Sequence, residues 1–313
     1  MLRTAQAALS YWPLRVAEVA LFAQRENQIF KVTGENGASY ALRLHRKGYQ
    51  SHAALQSELH WMQHLHQHGV RVPQPVPTAS GTHLIHHDGY AIDLLTWLDG
   101  QPLGRTGAPL ACEARSETFF KLGGTLAHVH RISDAWEKPR EFERSAWDLD
   151  GLIGETPLWG RYLDSPALRP AERDLLIAVR DKIRAELDRT TLDYGLVHAD
   201  AVPENVLLSG DQPALIDFDD SGFGYRLFDI ATAMIKHRKE ADFATLESAL
   251  IDGYRSVRPI DTTQLSAFYV LRAQTYIGWI MERIDEPGAA ERQARVIAAT
   301  MQCADAYLSG DSA

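Results

Sequence analysis

Cysteine is scarce: the 313-residue chain has two, Cys112 and Cys303. Far apart in sequence, they fit neither a disulfide framework nor a Cys-x-x-Cys metal site, so the expected setting is a reducing, cytoplasmic one. Long apolar runs are missing too. No stretch approaches the about 18 residues that mark a membrane span, and Arg3, Arg15 and Glu18 interrupt the N-terminal segment before a signal-type apolar core can form. A membrane partner is therefore not expected. Positive charge is also short, with 32 Lys and Arg against 41 Asp and Glu, a net charge of −9. Nucleic-acid binding needs a basic face to neutralise phosphates, so nucleic acid is excluded as a partner. What remains is 45% hydrophobic and 23% charged, enough for a buried core and too apolar for wholesale disorder. The length admits one large domain or two lobes.

The first hundred residues carry strand signals. Residues 28–32 and 38–44 alternate, and Glu35-Asn36-Gly37 between them is a hairpin turn signal. A helix is expected over 52–68 with Gly69 as its C-cap, then an extended connector over 70–77 with three prolines. Two more strands, near 83–86 and 90–95, lead to a change of regime at Trp97 to Gly100. Beyond it, helical periodicity marks 117–132, 170–189, 229–239, 245–257, 264–284 and 289–308. One β-rich island, 196–218, interrupts them. The class is α+β, a small β-rich lobe followed by a larger helical one.

The island holds the densest polar cluster: His198, Asp200, Glu204 and Asn205, then Asp217, Asp219 and Asp220. Apolar runs at 206–208 and 214–218 flank a turn-type loop, so a hairpin centred near 210–211 sets Asn205 roughly opposite Asp217. An amide oxygen and a carboxylate at one end of a ribbon suit Mg2+, which takes few protein ligands plus substrate phosphates. Asp219 points to the same side if the chain stays extended. Asp200, on the loop feeding the ribbon, faces the same cavity without being a metal ligand. Phosphoryl transfer wants this division: one carboxylate accepts the hydroxyl proton while an Asn/Asp pair holds metal on the phosphates. Against this stands the ordinary reading of Asp219 and Asp220 as solvated loop acids.

His198-x-Asp200-x4-Asn205 and Ile216-Asp217 resemble the catalytic loop and metal aspartate of protein-kinase-like phosphotransferases, in the branch of aminoglycoside phosphotransferases, choline/ethanolamine kinases and homoserine-kinase-type enzymes. The segment from Ile216 to Ala231 is especially similar to the choline-kinase form. The resemblance implies a bilobal α+β fold, with a small antiparallel-sheet nucleotide-binding lobe over 1–97 and a larger, mainly helical catalytic and substrate-binding lobe over 98–313. It implies ATP and Mg2+ as cofactors, Asp200 as catalytic base, and Asn205, Asp217 and Asp219 toward metal. Arg43 stands where kinases place the strand lysine, and Glu58, on the inward side of the Leu55/Leu59/Met62/Leu65 stripe, is its natural partner. The phosphate-covering loop departs from the family pattern: residues 21–30 contain no glycine. Asn27 and Gln28 are the candidates there, and adenine is expected near Leu95 and Trp97, against backbone groups.

His198 reads as a structural tie of the loop. Asp229 reads either as a helix N-cap or as the loop's support. His60, His64, His66 and His68 read as a packed or solvated face, since third and fourth zinc ligands are lacking. The segment from Asp217 to Asp229 is too short for a peptide platform, so the expected acceptor is a small hydroxylated, amine-bearing molecule. Asp220 would pair its amine, and Trp279, with Trp147, Trp159 and Tyr276, would supply aromatic contact. Lys236 instead favours an acceptor with its own carboxylate, such as homoserine or hydroxylysine. Two alternatives stand beside this: a Ser/Thr protein kinase of bacterial stress-response type, and a catalytically silent nucleotide-binding module.

Overall fold

The computed structural model describes residues 1–24, 27–110 and 112–310. They form two compact units, one of residues 1–101 with 135–144 and 207–219, the other of 102–134, 145–206 and 220–313.

In the first unit, α1 (Leu2–Ala8) precedes β1 (Val16–Gln24), β2 (Gln28–Gly34) and β3 (Ser39–Leu44); α2 (His52–Gln67), β4 (Leu84–His87) and β5 (Tyr90–Thr96) follow. The five strands make one antiparallel sheet in the order β1-β2-β3-β5-β4. Period-2 alternation splits its side chains. Phe30, Val32, Leu42, Leu44, Ile92 and Leu94 form an apolar core with Ala5, Ala8, Leu9 and Trp12. Arg43 and Asp93, directly opposite each other in the sheet register, fall on the other face. The proline-rich connector runs extended, as its composition predicts, and bridges β5 at Pro75 and Leu95. Of the four histidines near the end of α2, His60 and His64 are half-buried, the His64 ring stacking on Trp136 at 4.8 Å, and His66 and His68 are exposed.

The remaining elements begin with β6 (Gln101–Pro102), α3 (Arg115–Asp134), β7 (Ala146–Trp147), α4 (Leu149–Ile153), α5 (Pro170–Leu187) and β8 (Tyr194–Val197). After β9 (Val206–Ser209), β10 (Gln212–Leu215) and β11 (Gly222–Tyr225) come α6 (Arg226–Ile235), α7 (Phe243–Arg255), α8 (Leu265–Met281) and α9 (Ala289–Ser309). Helices α3 and α7 pack backbone to backbone, and glycine is the reason. A Cβ on Gly123 would fall 1.9 Å from the Leu250 carbonyl oxygen, and one on Gly253 would fall 1.8 Å from that of Phe120. Two expectations are corrected. Helix α6 starts at Arg226, not Asp229, and the second strand of the hairpin ends at Leu215, so Asp217 lies beyond it. Among the described residues, no helix is long and apolar enough to cross a membrane.

Candidate active site

The loop carrying Asp200 leaves β8 through a strained backbone. Ala199 has φ +65, a left-handed conformation that costs a residue with a Cβ about 1–2 kcal/mol. Asp229 offsets the cost. Its Oδ1 accepts from the Ala199 N–H at 2.6 Å and its Oδ2 from the His198 N–H at 2.8 Å. Asp229 is fully buried. Burial opposes its charge, but the bonds from His130 and the loop hold its carboxyl below the ordinary range. His130 lies 2.9 Å from Asp229 through Nε2 and 2.8 Å from the Tyr254 hydroxyl through Nδ1. Burial, with Arg226 nearby, drives its pKa down to about 4, so the ring is neutral. The pattern then follows: Nε2–H donates to Asp229, and Nδ1 accepts from Tyr254. Of the two readings left open for Asp229, the structure shows support of the loop. His198 adds a weaker tie, its Nδ1 accepting from the Asp200 N–H at 3.3 Å.

Both carboxylate oxygens of Asp200 are engaged. Oδ1 accepts from Arg272 Nη2 at 2.7 Å, and Oδ2 from Asn205 Nδ2 at 2.8 Å. Asn205 Nδ2 also donates to the Asp200 carbonyl at 2.9 Å. Both amide hydrogens therefore turn inward, and the amide oxygen Oδ1 is left as the group that can meet a cation. Burial pushes the Asp200 carboxyl upward, opposed by Arg272 and Lys236.

Arg272 is fully buried within aromatic rings. Its guanidinium carbon lies 4.6 Å from the Trp159 ring centroid, 4.2 Å from that of Tyr276 and 5.6 Å from that of Phe228. A second cation on the Tyr276 ring is Lys236, with Nζ 3.6 Å from the centroid. Burial, with repulsion from Arg272, draws the Lys236 ammonium down to about 8. Asp220 closes the group: Trp159 Nε1 donates to its Oδ1 at 3.2 Å, and Trp147 Nε1 to its carbonyl at 2.8 Å. Trp159 and Tyr276 thus cover the guanidinium that holds Asp200, and the Tyr276 hydroxyl accepts from the same Nη2 at 2.9 Å. Trp279 is one ring further out, 6.5 Å from Trp159 and covered by Arg283 at 4.1 Å.

In the sheet unit, Arg43 is buried and donates through Nε and Nη2 to Asp93, each at 2.8 Å, and through Nη1 to Glu58 at 2.7 Å. Arg144 lies 3.5 Å from the second oxygen of Glu58. Asp93 is buried, which works against its charge, yet Arg43 and His45 hold it down to about 2. Three of the five N–H groups on Arg43 are thereby spent, leaving two for an anion.

Asp217 has φ +64, so the chain is not extended there. The expectation that Asp219 shares its side by strand alternation fails for that reason. Asp219 is buried, and its carbonyl accepts from Arg144 at 2.6 Å and Gln50 at 3.3 Å. Asn27 is buried and its Oδ1 accepts from the Arg46 N–H at 3.0 Å, so this oxygen braces the turn after β3. Arg25 and Glu26 of the glycine-free loop lie outside the described residues. Leu95 is buried, while the N–H groups of Thr96 and Trp97 donate to Gln74 and Ser39. The Trp97 backbone donor near which a base is expected is committed to this contact, as is that of Thr96. The Trp97 ring packs edge-on against Phe22 at 4.8 Å, with Lys31 Nζ 4.7 Å from it.

Two residues escaped sequence reasoning. Asp93 had a signal, an acid inside an apolar strand that burial would force to find a partner. Arg272 had the same signal within an almost wholly apolar helix, but its partner is 72 positions away.

A family model described as the phosphotransferase enzyme family matches residues 18–267. The chain is 30% identical to a homoserine kinase of Rhizobium johnstonii over 233 residues, covering 71% of this chain and 66% of that protein. It thus spans just under two thirds of that curated relative. A homoserine kinase of Mesorhizobium japonicum is 28% identical, over 83% of this chain and 77% of its own. The structure of a microcompartment-associated aminopropanol kinase superposes with a TM-score of 0.87 at 26% identity, covering 99% of this chain and 98% of that one. An amicoumacin kinase solved with AMP-PNP, Ca2+ and its antibiotic superposes at 0.78, covering 97% and 93%; at 20% identity this is a likeness of fold.

Proposed function

The chain belongs to the phosphotransferase enzyme family, and within it we propose a kinase that moves the γ-phosphoryl group of ATP to a hydroxyl of a small amine-bearing acceptor. Its α+β fold is that of the protein-kinase-like small-molecule kinases it resembles. The observation that carries the proposal is the Asp200 carboxylate, oriented from both sides by Arg272 and Asn205 on a loop whose backbone Asp229 holds. Asp200 orients the acceptor hydroxyl and takes its proton at a carboxylate oxygen. The inward-turned amide of Asn205 leaves its oxygen for a hard cation, and Asp217 carries the carboxylate that the sequence pattern assigns to metal. Mg2+, when bound there, neutralises charge developing on the transferred phosphate. Asp219 serves through its main chain, gripped by Arg144 and Gln50. Arg43, fixed by Glu58 and Asp93, presents its two remaining N–H groups to nucleotide phosphate oxygens.

A small acceptor is supported over a peptide because residues 222–225, directly after the Asp217 turn, form β11 between β7 and β8, and α6 begins at Arg226. Nothing in that stretch is left to lay out a peptide. Lys236 narrows the acceptor further. Its ammonium makes no ion pair among the described residues and lies on the Tyr276 ring beside Arg272. A carboxylate on the acceptor would match it, with the amine placed toward Asp220. Hydroxy-amino acids of homoserine type therefore rank ahead of plain amino alcohols. An ATP-consumption screen over homoserine, hydroxylysine, aminopropanol, choline, aminoglycosides and a protein acceptor tests this. Turnover with hydroxy-amino acids is the expected result; ATP binding without turnover on any acceptor would favour a nucleotide-binding module.

A further inference from the structure

The glycine contact between α3 and α7 sets Tyr254 down on α3. A Cβ on Gly123 would stand 2.8 Å from the Tyr254 backbone nitrogen, so glycine is what lets α7 settle this close. His130, at i+7 from Gly123, lies on the same face of α3. Its ring and that of Tyr254 meet with centroids 5.6 Å apart, and both residues are fully buried. Arg258, just past α7, donates through Nη1 to the Tyr254 hydroxyl oxygen at 3.0 Å. Asp193 accepts from both Nη1 and Nη2 of Arg258, the latter at 3.1 Å, and Asp134 accepts from Nη2 at 2.8 Å. Two carboxylates thus hold the guanidinium in place against the tyrosine.

The directions of the inner bonds are fixed from both ends. A guanidinium can only donate, so the Tyr254 oxygen accepts from Arg258 and its own proton must go elsewhere. Burial lifts that hydroxyl to about 12, so it keeps the proton. Nδ1 of His130 takes the bond at 2.8 Å. At the other end a carboxylate can only accept, so the ring proton sits on Nε2 and goes to Asp229 Oδ2 at 2.9 Å. The same Oδ2 takes the His198 N–H, and Oδ1 takes that of Ala199. One directed chain of bonds runs from Arg258 to the backbone beside Asp200.

We propose that Tyr254 is a positioning residue for phosphoryl transfer, acting on Asp200 through His130 and Asp229, with Arg258 aligning its hydroxyl. The proposal rests on the kinase reading above. Without the hydroxyl, Nδ1 of His130 is a buried lone pair with no donor, a costly arrangement. The ring relieves it by turning or by carrying its proton on Nδ1, and either change weakens the bond at Asp229 Oδ2. The carboxylate then shifts under the two loop N–H groups. The left-handed turn at Ala199, which aims Asp200, relaxes with it.

Tyr254→Phe keeps the ring and its packing and removes only the oxygen. Steady-state kinetics use the full chain with ATP and the best acceptor of the screen, scaled to the fraction that binds AMP-PNP. The expected result is a kcat lower by about tenfold at unchanged KM for ATP, part of the about 100-fold that a misplaced reacting group can cost. NMR of the histidine ring nitrogens should show the His130 proton on Nε2 and protected from solvent in the native chain. In Tyr254→Phe that protection is lost, and the Ala199 amide exchanges about tenfold faster as the loop opens locally. Arg258→Lys, still a pure donor, should recover more of kcat than Arg258→Met. Unchanged kcat in Tyr254→Phe, a loss of kcat with KM for ATP raised alongside, or a loss with the His130 and Ala199 signals as in the native chain would each overturn the proposal. The NMR signals need no turnover. A native chain that transfers no phosphate fails the kinase reading, while the signals still test the path from Tyr254 to the loop.

Discussion

Arg272 Nη2 stands 2.7 Å from Asp200 Oδ1, and the guanidinium that makes this bond is wholly enclosed by Trp159, Tyr276 and Phe228. With the Asn205 bond to the other oxygen, it fixes the orientation of the proposed base. Arg272→Met should lower kcat by about 100-fold, the scale of a misplaced reacting group, with KM for ATP little changed. Arg272→Lys should restore part of it. Circular dichroism and AMP-PNP titration separate this from misfolding, which also lowers kcat at constant KM by removing active enzyme.

Asp229→Ala removes the acceptor for two backbone N–H groups and for His130 at once. The left-handed Ala199 then loses its brace. Urea unfolding should show a loss of about 2–4 kcal/mol, from buried groups left unmatched.

Acid should weaken the same network. His130 has its folded pKa drawn from 6.5 to about 4, so between these values the unfolded chain binds a proton that the folded chain does not. The contribution is complete above about 6.5 and is lost as pH falls toward 4. Asp229, also depressed, adds loss in the same direction as pH falls below the ordinary carboxylate range. Urea midpoints should drop across this window, and His130→Gln should flatten the drop.

Lys236 sets an alkaline limit. Its folded pKa of about 8 means the ammonium discharges as pH rises through that value. KM for a carboxylate-bearing acceptor should rise above pH 8, while KM for aminopropanol should not show this rise. Lys236→Ala should abolish the distinction between the two acceptors.

The α3/α7 contact is equally specific. Gly253→Ala places a Cβ against the Phe120 carbonyl at 1.8 Å. The helices must part, and a thermal melt should record a loss of about 1–3 kcal/mol, typical of overpacking.

Sequence patterning made much of this visible. Period-2 alternation located β2 and β3, and the Leu55/Leu59/Met62/Leu65 stripe turned Glu58 inward, where Arg43 meets it. His198, Asp200 and Asn205 stood at a spacing that could be read as chemistry. The missing parts share a cause: they rest on contacts between distant positions or on backbone angles. Arg272 reaches Asp200 from α8, and Asp93 reaches Arg43 across a strand register no local pattern prints. Asp217 and Ala199 adopt positive φ without being glycine, which propensity argues against. Asn27, chosen as a phosphate contact for its loop position, has its oxygen bound to the Arg46 N–H.

The central claim is that Asp200 is the base of phosphoryl transfer. Asp200→Asn keeps the size of the side chain and removes its proton-accepting charge. Single-turnover transfer from ATP to the best acceptor of the screen, with circular dichroism and AMP-PNP binding as controls, tests it most directly. The account predicts native folding, near-native nucleotide binding and a fall in the transfer rate of about 100-fold or more, the range for loss of general base catalysis. Undiminished transfer in a folded, nucleotide-binding Asp200→Asn protein would contradict it.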